Sequence, residues 1–148
     1  MRLKYFKILF GFFLLFSLLG CSVLTDFYIQ NLTNESKIII IKYKFNIKSK
    51  LENDSSGEYS FNYKNGIASP KEFRNNKNLP SLNKTIINDY QIEVVLPPSS
   101  TTRVEKTLNY HWRSWSIDNI KIDNKEIKIE DIESQSIKDK SDYIYKIE

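Results

Sequence analysis

Apolar and polar residues alternate along much of this chain. Between Lys37 and Lys48, Ile39, Ile41, Tyr43, Phe45 and Ile47 fall on one face, with Lys42, Lys44, Asn46 and Lys48 on the other. A period of two, carried by β-branched and aromatic residues, predicts a half-buried strand. Phe27 to Leu32 reads as a strand before it, ended by Thr33-Asn34-Glu35. Beyond a polar turn over Glu52 to Gly57, Glu58 to Tyr63 predicts a third strand with Tyr59, Phe61 and Tyr63 inward. Tyr90, Ile92, Val94 and Leu96 alternate with Gln91 and Glu93, and Pro97-Pro98 stops that strand.

Thr101 to Arg113 places Thr102, Val104, Leu108, Tyr110 and Trp112 inward, interrupted by Lys106. Arg103, Glu105, Thr107, Asn109, His111 and Arg113 fall outward. A bulge near Ser114 would move Trp115 and Ile117 into the opposite phase. Ile120 to Ile129 predicts a hairpin turning at Asn124-Lys125, with Ile122 facing Ile127 and Ile120 facing Ile129. Glu130 to Lys140 reads as loop or weak helix, and Tyr143, Tyr145 and Ile147 as a closing strand. The Asn-rich connection 64–84 holds Pro70 and Pro80, and is either a solvated excursion or a functional loop. Within it, Ser69-Pro70-Lys71-Glu72 has the form of a capping box with proline at the first helical position, and Phe73 inward. Seven or eight short strands, with no helix long enough for a parallel crossover, predict an all-β fold. The expected architecture is an antiparallel β-sandwich, immunoglobulin-like in form only, since the cysteines of antibody domains are absent.

The N-terminus breaks this pattern. Arg2, Lys4 and Lys7 precede an apolar block, Ile8 to Leu19, that contains no acid. At about a dozen residues the block is shorter than the roughly 20 a bilayer-spanning helix needs, and it has the layout of a secretory signal. It runs through Leu18, Leu19 and Gly20 into Cys21, the only cysteine. An aliphatic residue, a small residue and then cysteine resembles the lipobox of bacterial lipoproteins. The resemblance implies recognition of Leu18, Leu19 and Gly20 by the lipoprotein signal peptidase, cleavage before Cys21, and a diacylglyceryl group on its thiol. A further fatty acyl chain of the palmitate type would join the new amine. Two chains give stable anchoring where one does not. The resemblance also implies a bacterial cell envelope, with Ser22 compatible with an outer rather than an inner membrane where the cell has both. The chain then divides into a signal peptide at 1–20, a lipidated cysteine with a short tether at 21–26, and one domain at 27–148.

Charge changes the picture once the leader is set aside. The leader holds three of the 22 basic residues and none of the 18 acidic ones, so the rest is close to neutral. No Lys/Arg cluster suited to neutralising several phosphates of a nucleic acid stands out in the sequence, and nucleic acid is not an expected partner. With Cys21 taken by lipid, neither a disulfide nor a cysteine metal site is available.

Candidate chemistry is sparse. His111 is the only histidine, and no nucleophile or carboxylate is marked as its partner. The acidic stretch Asp118, Asp123, Glu126, Glu130, Asp131 and Glu133 lacks the spacing and glycine of a calcium loop. No metal, cofactor or catalytic residue is assigned. Tyr110, Trp112, Arg113 and Trp115 form one aromatic and cationic cluster, either core residues beside a bulge or a binding surface. The expected role is a non-enzymatic binding or assembly module for another envelope component, a protein or a glycan. The alternatives are a carbohydrate-binding module using Trp112 and Trp115, and an envelope-polymer hydrolase with unidentified carboxylates.

Overall fold

A computed structural model describes residues 22–108, 112 and 116–148. Leu18 to Cys21, and the cluster members Tyr110, Arg113 and Trp115 together with His111 and Ser114, lie outside the described residues. Leu24–Asn31 forms β1 and Lys37–Tyr43 forms β2, followed by a short helix α1, Ile47–Glu52. Tyr63–Asn65 is β3, Pro70–Asn75 is α2, Lys84–Asn88 is β4 and Gln91–Leu96 is β5. Ser100–Leu108 is β6, Ile117–Ile122 is β7 and Lys125–Lys128 is β8. Ile129–Gln135 is α3, Ile137–Asp139 is β9 and Asp142–Ile147 is β10.

The strands make two five-stranded sheets, ordered β3-β6-β1-β10-β9 and β4-β5-β2-β7-β8. The chain is mostly β, but the expectation of antiparallel strands throughout is corrected. The closing strand β10 lies parallel to β1, pairing Phe27 with Tyr143 through Asn31 with Ile147, so the first sheet is mixed. The second sheet is antiparallel. One hydrophobic cluster takes Phe27, Ile29, Val104 and Ile147 from the first sheet and Ile39, Ile41, Ile92 and Ile120 from the second. Alternation therefore does what the sequence pattern requires in the inner strands: β1, β2, β5, β7 and β10 each turn an apolar row into a core shared by both sheets.

The differences from expectation have local causes. The Lys37 to Lys48 strand stops at Tyr43, because the Asn46 side chain accepts from the Ser49 N–H at 3.0 Å and caps α1. Ile47 stays buried as the first residue of that helix. Tyr59 and Phe61 are buried, but residues 58–61 form no strand: Phe61 has φ of 51°, and the strand begins only at Tyr63. Lys84 to Asn88 pairs with β5 as an edge strand that the alternation did not mark. Tyr90, expected inward, lies in the β4–β5 turn and is 50% exposed. The hairpin turns one residue earlier than expected, at Asp123-Asn124, with φ of 45° and 74°. Two successive positive φ values suit a tight hairpin turn, and they pair Ile122 with Lys125 and Ile120 with Ile127. Ile129 is thereby left to start α3.

A bulge falls where β6 meets β1: Phe27 faces Glu105, and its successor Tyr28 faces Arg103. The extra residue reverses the phase of β6 after Val104. Glu105, expected outward, is fully buried, while Leu108, expected inward, is 57% exposed. The tether also shortens, since β1 already includes Leu24, and Thr25 and Asp26 are buried.

The capping box forms as the sequence predicts. Ser69 accepts from the Glu72 N–H, and the Glu72 carboxylate accepts from the Ser69 N–H at 2.9 Å. Those bonds hold the Glu72 carboxyl below its ordinary pKa. The box sets α2 on the face of the first sheet away from the shared core. There Phe73 meets Tyr28 edge-to-face at 5.0 Å, in a small cluster with Ile144 and Leu79. Phe73→Ala should cost about 3 kcal/mol in urea denaturation, as expected for emptying an aromatic site. Amide exchange should then speed up in α2 and stay slow in β2 and β5, whose apolar rows face the other side.

Candidate functional site

Four side chains from distant parts of the chain meet beneath α2. Asp26 on β1 and Asp142 on β10 are neighbours across the parallel pair, 1% and 2% exposed. Arg74, in the last turn of α2, reaches down to both. Its Nε donates to Asp26 Oδ2 at 3.0 Å and its Nη2 donates to Asp142 Oδ1. Tyr28 donates its hydroxyl to the same Asp26 oxygen at 2.8 Å, and the Asp26 backbone N–H donates to Asp142 Oδ1 at 2.9 Å. One guanidinium thus holds two buried carboxylates, and through them ties the helix to two strands.

The electrostatics follow from burial. Burial raises the Tyr28 phenol well above its ordinary pKa, and the Asp26 charge beside it raises it further. The Asp142 carboxyl is raised, chiefly by burial, against the lowering effects of the Asp26 N–H and Arg74. For Arg74, burial works against the charge, but the fields of Asp142 and Asp26 outweigh it and keep the group above its usual value.

Beside this clasp opens a cavity of about 290 Å³, with Leu24 and Asp26 of β1 in its wall. Its cations are Arg74, Lys77 just beyond α2, and Arg103 and Lys106 on β6. Arg103 Nη2 donates to Asn62 Oδ1 at 2.6 Å and to Ser60 Oγ at 3.3 Å, both neutral partners. Lys106 stands opposite Asp26 in the strand register. Among the described residues, Lys77, Arg103 and Lys106 have no carboxylate within ion-pair distance. Asp26 Oδ1 and Arg103 Nε are buried without a hydrogen-bond partner among the described residues. The arrangement can hold a small anion; ligand pockets of drug-sized molecules start at about this volume.

Of the sequence-marked cluster, only Trp112 is among the described residues. Trp112 is 5% exposed, with its ring edge-to-face against Phe27 at 5.3 Å and Tyr143 at 5.0 Å. A ring packed so is a core residue among its described neighbours. The acidic stretch is spread along the β7–β8 hairpin and α3: Asp118 pairs with Lys42 at 2.9 Å and Asp123 with Lys37 at 2.7 Å. Among the described residues no three metal-ligating side chains converge, and no helix is long and apolar enough to cross a membrane. Sequence reasoning missed Asp26, which it placed in the tether, and attached no role to Arg74, Arg103 or Asp142. A carboxylate inside an apolar strand was the only available signal.

No protein-family model matches the chain, and no curated protein or solved structure matches it. The site therefore has to be read from its own chemistry.

Two outcomes test this geometry. Arg74→Met should cost about 3 kcal/mol near pH 7, the low end for stranding buried carboxylates because Arg74 keeps part of its surface in water. Asp142 has a raised folded-state pKa, so its stability contribution is complete below the unfolded value of 3.8 and declines as pH rises through the folded value. Without Arg74 that decline steepens, and urea denaturation should show the deficit of the variant shrinking between about pH 7 and about pH 4.5. Separately, Trp115→Phe leaves Trp112 as the sole tryptophan. Its emission should be blue-shifted and resist quenching by iodide.

Proposed function

We propose that this protein is a lipid-anchored lipoprotein of a bacterial cell envelope that works by binding another envelope component, protein or glycan, rather than by catalysis. The observation that carries the reading is Leu18-Leu19-Gly20-Cys21 at the end of the apolar block. A diacylglyceryl thioether on Cys21, with a further acyl chain on its amine, would anchor the chain durably. Ser22 favours the outer membrane where the cell has two.

The fold supports a binding role close to the membrane. Its first strand starts at Leu24, three residues after Cys21, so there is almost no stalk. We read the two sheets around their common core as an immunoglobulin-like sandwich, a rigid platform whose outer faces can carry a site. Confinement to a surface raises the local concentration of such a platform and makes a weak contact effective.

The carbohydrate reading has less support, because one of its two tryptophans is packed between Phe27 and Tyr143. The hydrolase reading needs two accessible carboxylates flanking a bond. The converging pair described here, Asp26 and Asp142, is buried and held by a single arginine.

Mass spectrometry of the protein purified from its native membrane should find the mature chain beginning at Cys21 and carrying fatty acyl mass on that residue. Cys21→Ala should abolish labelling by a clickable palmitate analogue. An N-terminal peptide without lipid, or a start at another residue, would overturn the assignment.

A further inference from the structure

We propose that the cavity between α2 and β6 is a binding site for a phosphate group, and that in the membrane this group belongs to an anionic lipid headgroup. The pocket itself stands on the structure. The headgroup as source rests on the anchored-lipoprotein reading above.

The charge balance of the wall is the first reason. Four cations line the cavity against one carboxylate, Asp26, whose Oδ2 is already taken by Arg74 and Tyr28. Asp142 shares in neutralising Arg74. Among the described residues Lys77, Arg103 and Lys106 have no ion-paired carboxylate, on a protein that is close to neutral beyond its leader. Like charges gathered around one hollow repel one another, and an anion entering between them removes that repulsion. Arginine and lysine in one wall suit a phosphate: the planar fork fixes its orientation and the ammonium groups add charge.

The build of the site is the second reason. Arg103 is held by two neutral acceptors, Asn62 and Ser60, which orient its guanidinium without neutralising it. The base of the cavity rests on the Arg74 clasp. Three of the four cations therefore come from β6 and a docked helix, and the exposed Lys77 follows that helix by two residues.

Location is the third reason, and it selects the source. Leu24 lines the cavity and follows Cys21 by three residues, a reach of at most about 11 Å for an extended chain. Leu24 pairs with Leu108 across the sheet, and both, with Val23, are exposed. An apolar rim thus lies beside a cationic hollow at the end of the domain from which the anchor departs. Basic side chains next to an apolar rim match an anionic membrane surface.

The test uses the natively processed protein and reads acetylation of lysine amines by mass spectrometry. In detergent micelles, inorganic phosphate should slow modification of Lys77 and Lys106 several-fold while leaving Lys125 at the hairpin turn unchanged. In vesicles, phosphatidylglycerol mixed with phosphatidylcholine should give the same protection, and phosphatidylcholine alone should not. Arg103→Gln, with its fold checked by circular dichroism, should lose the protection in both settings; Lys125→Gln should keep it. Protection by inorganic phosphate without protection by phosphatidylglycerol would overturn the headgroup source and leave the phosphate site standing. No protection in either setting, or protection unaffected by Arg103→Gln, would overturn the site itself. The micelle measurement does not depend on Cys21, so a missing lipid cannot be mistaken for a missing site.

Discussion

The bridge from Arg74 to Asp26 and Asp142 is the interaction on which the outer side of the first sheet depends. Taking two carboxylates out of water is costly, and the cost is met only when a cation and further donors are in place. Here the guanidinium supplies two bonds, the Tyr28 hydroxyl a third and the Asp26 backbone N–H a fourth. The bridge joins strands from opposite ends of the chain, β1 and β10, and it needs α2 at a particular height above them. Phe73 against Tyr28 sets that height from the apolar side, and the capping box sets the direction of the helix. A buried ion pair adds little net stability compared with apolar packing. Its effect is selective: a helix docked one turn away, or β10 paired out of register, would leave two carboxylates buried and unpaired.

That selectivity also shapes the neighbouring cavity. Because Arg74 is engaged below, the cations that remain available are those on β6 and on the segment after α2. The β6 bulge matters here as well. By reversing the strand's phase after Val104, it sends Lys106 to the outer face beside Arg103 and turns Glu105 into the interior. Inside, Glu105 accepts a hydrogen bond from the Ser116 hydroxyl. Tyr43 and Tyr59 are raised above the ordinary phenol value first by burial and then by the field of that carboxylate. A single inserted residue thus gathers positive charge on one face of the sheet and places an acid on the other.

Near-neutrality of the chain beyond its leader and a concentration of cations in one hollow are compatible, because charge elsewhere is paired or dispersed. Lys37 and Lys42 meet Asp123 and Asp118 on the second sheet. These exposed pairs contribute little to stability, but each neutralises one lysine of β2. The cations of the cavity are collected by folding, from positions 74, 77, 103 and 106, and net charge carries no trace of such an arrangement.

By itself the sequence determined what depends on near neighbours. The rows Ile39, Ile41, Tyr43 and Ile92, Val94, Leu96 face the core because period two is a property of a single strand. The Ser69 to Glu72 box is legible for the same reason, since all its bonds lie within three residues. The lipobox is likewise a local motif, open to reading without any fold. Tertiary structure decided what depends on distant partners. Alternation says which residues point together but not which way a strand runs, so β10 could be placed parallel to β1 only by its contacts. The bulge at Val104 was silent because a one-residue insertion is defined by the register of the opposite strand. Asp26, Arg74 and Asp142 are separated by 48, 68 and 116 positions. Charges that far apart in sequence become one site only when packing brings their backbones within reach.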